Sequence, residues 1–217
     1  MKIESIHIGR TKEVVHNNES IRTGIFKELV FGAQFVTKTG IRGDEQANLK
    51  VHGGIYKAVY AYPSEHYEFW KSKRPDLEFS PGRFGENLCV SGMDENEVCV
   101  GDEFQVGEVI LKVTTPRMPC SKLGIKMGDM GFVKEFLQAE RSGFYFSVLK
   151  EGEIEAGENI SKIGDDGHGL SIKECVQLFT ERKKDKELLN KAISCPSLID
   201  SWKEDFSTQL QNIQSDS

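Results

Sequence analysis

Residues 98–124 read VCVGDEFQVGEVILKVTTPRMPCSKLG, and the fold turns on this stretch. Val98–Val106 and Val109–Thr114 are strand-like runs rich in β-branched residues, punctuated at Gly101 and Gly107 as turns or bulges. The second run leads directly into a bend fenced by Pro116 and Pro119. Proline fixes φ and removes a backbone donor, so Cys120 is expected on a loop of restricted shape rather than inside a regular element. Arg117 and Lys122 bring positive charge to the sulfur, which favours thiolate over thiol. A thiolate held this way is a nucleophile, a persulfide carrier or a ligand for a soft metal. The competing reading is a small, buried, apolar cysteine.

Outward from this stretch, the chain up to Ile163 reads mostly as strands. Ile3, Ile6 and Ile8 open one, Ile25–Val30 and Ala33–Lys38 give two more, and Lys57–Tyr62 (KAVYAY) is a strong candidate. Phe84–Val90 precedes the central pair; Phe144, Phe146 and Val148 alternate after it, and Ile160–Ile163 closes the set. Helical signals are few here: Pro63-Ser64 starts an amphipathic run through Tyr67 and Trp70, and Val133, Phe136 and Leu137 stand at helical spacing. Residues 41–54 lack a period and are too polar for a core, so they are expected as a long ordered loop over a surface site. Many short strands with glycine turns predict a mainly β fold, a closed barrel or sheet with small flanking helices.

At Gly164-Asp165-Asp166-Gly167-His168-Gly169 the composition changes. Ser171-Ile172-Lys173-Glu174 is a capping-box signature, and Leu198, Trp202, Phe206, Leu210 and Ile213 make an apolar stripe. The expected division is a β domain over 1–163, a linker over 164–169 and three helices over 170–217. Three short helices bury little surface alone, so they are expected to dock on the barrel, on each other or on a partner chain.

The totals exclude several classes. A net charge of −6 disfavours broad nucleic-acid binding, and no apolar run approaches a membrane-spanning length. The five cysteines are an odd set without CxxC spacing, against a disulfide framework or a structural zinc site, and cytoplasm is the expected compartment.

Taken in order, GDEQANLKVHGG, KAVYAYPSEHYEFW, FGENL, VGDEF and PRMPCSKLG resemble the MOSC family, related to the C-terminal part of molybdenum-cofactor sulfurase. The helical tail resembles the three-helix appendage of a bacterial subgroup. Asn48 stands where the first motif usually has aspartate, and Ile55-Tyr56 where Pro-Asp commonly follows His-Gly-Gly. The resemblance implies a closed β-barrel, molybdenum cofactor as the bound group, and Cys120 as catalytic residue and molybdenum ligand. It further implies reduction of N-hydroxylated compounds, such as hydroxylaminopurine-type base analogues, to the amine. The rival readings are sulfur carriage on a Cys120 persulfide and non-catalytic cofactor binding.

Such a cofactor carries a phosphate and a pterin edge. Gly53-Gly54 lets backbone N–H groups approach an anion, and Lys50, His52 and Lys57 flank it, making this the first candidate for the phosphate cradle. Arg83 offers a planar fork for phosphate or pterin, and Glu86 and Asn87 beside it are candidates for the pterin edge, for which Asn presents both donor and acceptor, with a local turn role as the alternative for Glu86. Arg117 and Lys122 are candidates for the phosphate. The sequence shows no dinucleotide fingerprint and no Fe–S cysteine cluster. The expected partners are therefore a small N-hydroxylated substrate and a separate electron-donating reductase, with a homodimer left open and neither nucleic acid nor membrane.

Overall fold

Residues 1–47, 53–181 and 185–215 are described by a computed structural model, the side chains of 214 and 215 excepted. The first strands are β1 (Lys2–Ile8), β2 (Lys12–His16), β3 (Glu19–Thr23), β4 (Glu28–Val30), β5 (Gln34–Thr37) and β6 (Gly40–Ile41). A 3-10 turn over Ile55–Lys57 leads into β7 (Val59–Pro63), followed by α1 (His66–Lys73), β8 (Leu88–Ser91), β9 (Glu103–Val106) and β10 (Val109–Pro116). Two short helices, α2 (Ser121–Met127) and α3 (Phe132–Gln138), precede β11 (Phe144–Lys150), β12 (Gly152–Ile154) and β13 (Ser161–Gly164). Helices α4 (Ile172–Thr180), α5 (Lys186–Ser194) and α6 (Asp200–Ser215) complete the chain.

An eight-stranded mixed sheet in the order β13-β9-β10-β11-β7-β8-β1-β4 forms the centre. Its pairs are antiparallel except β7 with β8, which run parallel. β7 is buried along its whole length, and its alternation serves two cores. Val59 and Ala61 join the aliphatic cluster of Ile3, Leu88, Val113 and Phe146. Tyr60 and Tyr62 point the other way, into an aromatic cluster with Trp70, Phe84, Phe132 and Phe136. There the Trp70 indole lies nearly parallel to Phe136 at 5.7 Å and donates to the Tyr62 hydroxyl at 2.7 Å.

The expected closed barrel is not what forms. Among the described residues the sheet is open, with β13 and β4 as its edges. The segment before β13 does reach β1, through Ile3 N–H to Glu158 O (3.0 Å), Ile160 N–H to Met1 O (2.9 Å) and a bridge between Lys2 and Asn159. That is a local contact and not a ladder: β4 is 3 residues long, β13 is 4, and the β13 register slips after Lys162, leaving too little paired backbone for closure. Nor is the chain mainly β, because α2 and the long tail helices add to α1 and α3. The expected strand Ile25–Val30 shrinks to β4, and Phe84–Val90 to β8. The β2–β3 hairpin was not expected; its Asn17 and Asn18 both take positive φ (50° and 62°), the geometry of a tight two-residue turn.

The tail docks on the sheet. The capping box forms, with Ser171 Oγ accepting from Glu174 N–H (3.1 Å) and the Glu174 carboxylate from Ser171 N–H (2.8 Å). Val100 N–H donates to Leu170 O (2.8 Å) and Ile172 N–H to Val98 O (2.9 Å), so the tail enters as an extension of the sheet loop. Ile172, Cys175, Leu189, Leu198 and Phe206 belong to the same aliphatic cluster as the strands. No helix among the described residues is long and apolar enough to cross a membrane.

A shared core predicts shared unfolding. Phe206 is fully buried, so Phe206→Ala is expected to cost about 3–5 kcal/mol. Sheet and tail should still melt in one transition, seen by calorimetry. A separate early transition, with the main one unmoved, would show the tail to be independently stable.

Candidate functional site

Proline ends β10. Pro116 pairs with Phe144 as its last ladder residue, and the chain then leaves the sheet. Arg117 N–H donates to Gly143 O (3.1 Å), and three residues on, Cys120 adopts an extended backbone (φ −134°, ψ 175°) just ahead of α2. Cys120 thus lies on a short constrained loop outside any regular element, as expected, and caps the start of α2, with Leu123 N–H donating to its carbonyl (2.9 Å). It is half-buried, unlike Cys89, Cys175 and Cys195, which lie in cores. Burial pushes the Cys89 thiol up to about 12 and the Cys175 thiol well above its usual range, so both are inert.

Cys120 lines a cleft that is open to solvent. Of the residues singled out in the sequence, Lys57, Asn87, Arg117, Cys120 and Lys122 line it together. Lys50 and His52 lie outside the described residues. Gly53, Gly54, Arg83 and Glu86 are not in its wall. Gly54, at φ 84°, instead opens the 3-10 turn that delivers Lys57. The Arg83 backbone N–H closes a turn onto Ser80 O (3.0 Å), and its side-chain Nε is buried without a hydrogen-bond partner.

Glu86 is fully buried and consumed locally. Its carboxylate accepts from Gly82 N–H (2.5 Å), Phe84 N–H (3.1 Å) and the Tyr67 hydroxyl, the turn role weighed from the sequence. Asn87 is similarly engaged. Its Oδ1 accepts from Tyr60 N–H (3.1 Å), and its Nδ2 donates to His7 O (3.2 Å) and Asp44 Oδ2 (3.0 Å). Glu86 supports the wall from behind, and Asn87 is part of it.

Arg117 is the exception. It is 5 % exposed, yet its Nη1 has no hydrogen-bond partner; its Nη2 reaches Phe84 O (3.4 Å), and the side chain also hydrogen-bonds the Tyr145 phenol. Its guanidinium stands over Tyr60 (5.7 Å) and Phe136 (5.2 Å). Burial raises the Tyr145 phenol above its usual range, the Arg117 charge opposes this, and Cys120 adds to it; the three groups share one corner of the cleft. Burial also lowers Lys57, so the cleft holds desolvated cations that gain from an incoming anion.

Lys27 and Lys126 carried no sequence signal. Lys27 lines the cleft and is held by both oxygens of buried Asp44 (2.5 and 2.6 Å), which also accepts from Gly9 N–H (2.8 Å). Only folding brings Lys27 and Asp44 together. Lys126 projects from α2 behind the wall, donating to Ile25 O (2.8 Å) and Gly82 O (2.6 Å). Tyr145 had a faint signal: it is the polar-tipped ring on the outer face of β11, between inward Phe144 and Phe146. No group of three or more His, Cys, Asp or Glu side chains among the described residues is placed to cage a metal.

A mixed sheet thus carries a half-buried cysteine on a cationic, aromatic-walled cleft. The MOSC domain family matches residues 48–161, and the chain belongs to that family. It is 35% identical over 204 residues to the uncharacterized protein YflK of Bacillus subtilis, covering 93% of this chain and 91% of the relative. It is 36% identical over 160 residues to a protein of Gibberella moniliformis named a reductase, spanning 72% of this chain but 28% of that longer one. The crystal structure of YiiM from Geobacillus stearothermophilus superposes with a TM-score of 0.80 at 33% identity, covering 96% of this chain and 98% of the other.

The Lys126 amine supplies a pH test. Burial pushes it down to about 7 from 10.5; the Glu86 charge opposes the shift, while Arg83, Lys27 and Arg117 add to it. Between these values the unfolded chain binds the extra proton, so stability rises with pH through this window and the penalty is greatest below pH 7. Urea unfolding from pH 7 to 9 should therefore show the wild type gaining on Lys126→Met by up to about 1 kcal/mol per pH unit. Parallel profiles would mean that Lys126 stays charged in the fold.

Proposed function

We propose that this protein binds molybdenum cofactor through Cys120 and reduces N-hydroxylated compounds: R–NHOH plus two electrons and two protons gives R–NH₂ and water. The observation that carries this reading is the pairing, in one cleft, of an accessible soft sulfur with a buried guanidinium whose Nη1 is unpartnered. An orphaned buried donor is costly, and an anionic group placed against it removes that cost. A single cysteine sulfur on the cleft suits a metal that arrives with most of its ligands already attached, as a dithiolene-bound metal does. The donor set therefore fits the cofactor. The fungal relative's name supports reductase chemistry.

When bound, the cofactor supplies the two-electron chemistry. The chain supplies the rest. The Cys120 thiolate is the metal ligand; Arg117, Lys57 and Lys122 neutralise the phosphate; and Tyr60, Tyr145 and Phe84 wall the cleft with rings that exclude water from the sulfur. Lys27 stays neutralised by Asp44 and fixes the wall. Electrons come from a separate reductase.

Expression in cofactor-proficient and cofactor-deficient hosts, followed by metal analysis and a hydroxylaminopurine reduction assay, tests this reading. Cys120→Ala is expected to lose molybdenum and activity together, and full activity in that variant overturns the assignment. Arg117→Ala should keep the fold but weaken cofactor retention by about 1.5–3 kcal/mol, read as molybdenum remaining after dialysis. A protein one sulfur atom heavier and free of molybdenum points to sulfur carriage instead. Bound molybdenum without turnover by a chemical reductant points to a binder.

A further inference from the structure

We infer that Glu95, outside the cleft wall, is the positioning residue for Arg117 and links the first tail helix to it; this rests on the cleft being an anion site. Glu95 is 3 % exposed, and both of its carboxylate oxygens are used. Oε2 meets His66 Nε2 at 2.6 Å, and Oε1 accepts from Gly143 N–H at 2.9 Å. On the far side of the imidazole, Arg141 Nη1 lies 2.9 Å from Nδ1. An arginine only donates, so Nδ1 accepts and the ring proton sits on Nε2, aimed at Glu95. Arg141, His66 and Glu95 thus form a directed chain that ends on the Gly143 amide.

Gly143 is where that chain reaches the cleft. Its carbonyl accepts the Arg117 N–H, and the carbonyl of Ser142 accepts the Tyr60 hydroxyl at 2.7 Å. Residues 142 and 143 therefore hold both the backbone of Arg117 and the ring beneath its guanidinium. The turn has little freedom: Gly143 has φ +64°, and a Cβ there would stand 2.4 Å from Ala61 O. What fixes it from outside is the buried carboxylate. The Glu95 carbonyl meanwhile accepts from Lys173 N–H at 2.9 Å, in the first turn of α4. One residue thereby ties the tail, the β11 entry and the arginine into a single frame.

The position of the guanidinium is readable apart from activity. In apo-protein of full length, the Arg117 side-chain Nε–H resonance is identified by its loss in Arg117→Lys and then titrated with inorganic phosphate. Glu95→Gln keeps the shape but leaves either Gly143 N–H or His66 Nε2–H without its charged acceptor. It is expected to shift the Arg117 resonance in the free protein and to weaken phosphate binding roughly tenfold. Arg141→Ala, at a half-buried residue, should shift the resonance the same way by less, and it carries the test if Glu95→Gln does not fold. Ile154→Ala, in the three-stranded sheet of β12, β5 and β6, lowers stability without touching this chain and should leave the resonance and the phosphate affinity unchanged. An Arg117 resonance unmoved by both chain variants overturns the positioning role. Movement of it in Ile154→Ala overturns it too, by making the effect one of stability alone. Phosphate that leaves the wild-type resonance unmoved overturns the anion reading of the cleft, while the free-protein comparison still decides the role of Glu95.

Discussion

The structure depends on a strand that sees no water on either side. β7 lies between antiparallel β11 and parallel β8, with its small aliphatic residues in one core and its tyrosines in the other. A register slip of one residue would exchange those faces, placing phenols among the aliphatic side chains. The alternation therefore locks the register, and with it the place of Tyr60 at the junction of core and cleft. Asn87 reinforces the lock by completing the Tyr60 backbone pairing on both sides, taking its N–H by side chain and giving its own N–H to the Tyr60 carbonyl (2.8 Å). The cleft is thus an opening at the edge of the aromatic core, and its walls inherit the rigidity of that core.

Charge distribution follows from the same burial. Lys27, Lys57 and Lys126 all have their ammonium forms disfavoured by loss of water. Asp44 and Glu86 answer part of that charge from inside the wall. Arg117, by contrast, keeps its Nη1 without a hydrogen-bond partner in the cleft wall. The net charge of −6 does not oppose this local excess of cations, because surface carboxylates in high dielectric act weakly on groups held out of water.

The parts legible in sequence were those set by local chemistry. The capping box, the alternation of β10 and β11, the two prolines around Cys120 and the grouping of Arg117, Cys120 and Lys122 each rest on residues close in the chain. The family resemblance supplied the chemical class. What stayed hidden depended on distance: Lys27 finds Asp44 across 17 residues, and Lys126 reaches Gly82 across 44. Barrel closure failed as an expectation because it depends on the length and pairing of edge strands, and counting strands does not reveal which become edges. The polarity of Glu86 and Asn87 is visible in sequence, whereas the partners that hold them, among them the Tyr67 hydroxyl and Asp44, are not.

The tail shows why an appended helical segment need not be a separate module. Its entry strands Val98 and Val100 by backbone hydrogen bonds, its apolar face completes the aliphatic cluster, and its first helix takes the Glu95 carbonyl. Glu95 is the one of these contacts that also faces the cleft side, through Gly143. Without the tail, that carbonyl, the β9 approach and the underside of the aliphatic core would meet water, and the carboxylate would lose the frame that aims it. The fold therefore makes the helices part of the support of Arg117, so that the geometry at the mouth of the cleft is settled by packing on the opposite side of the sheet.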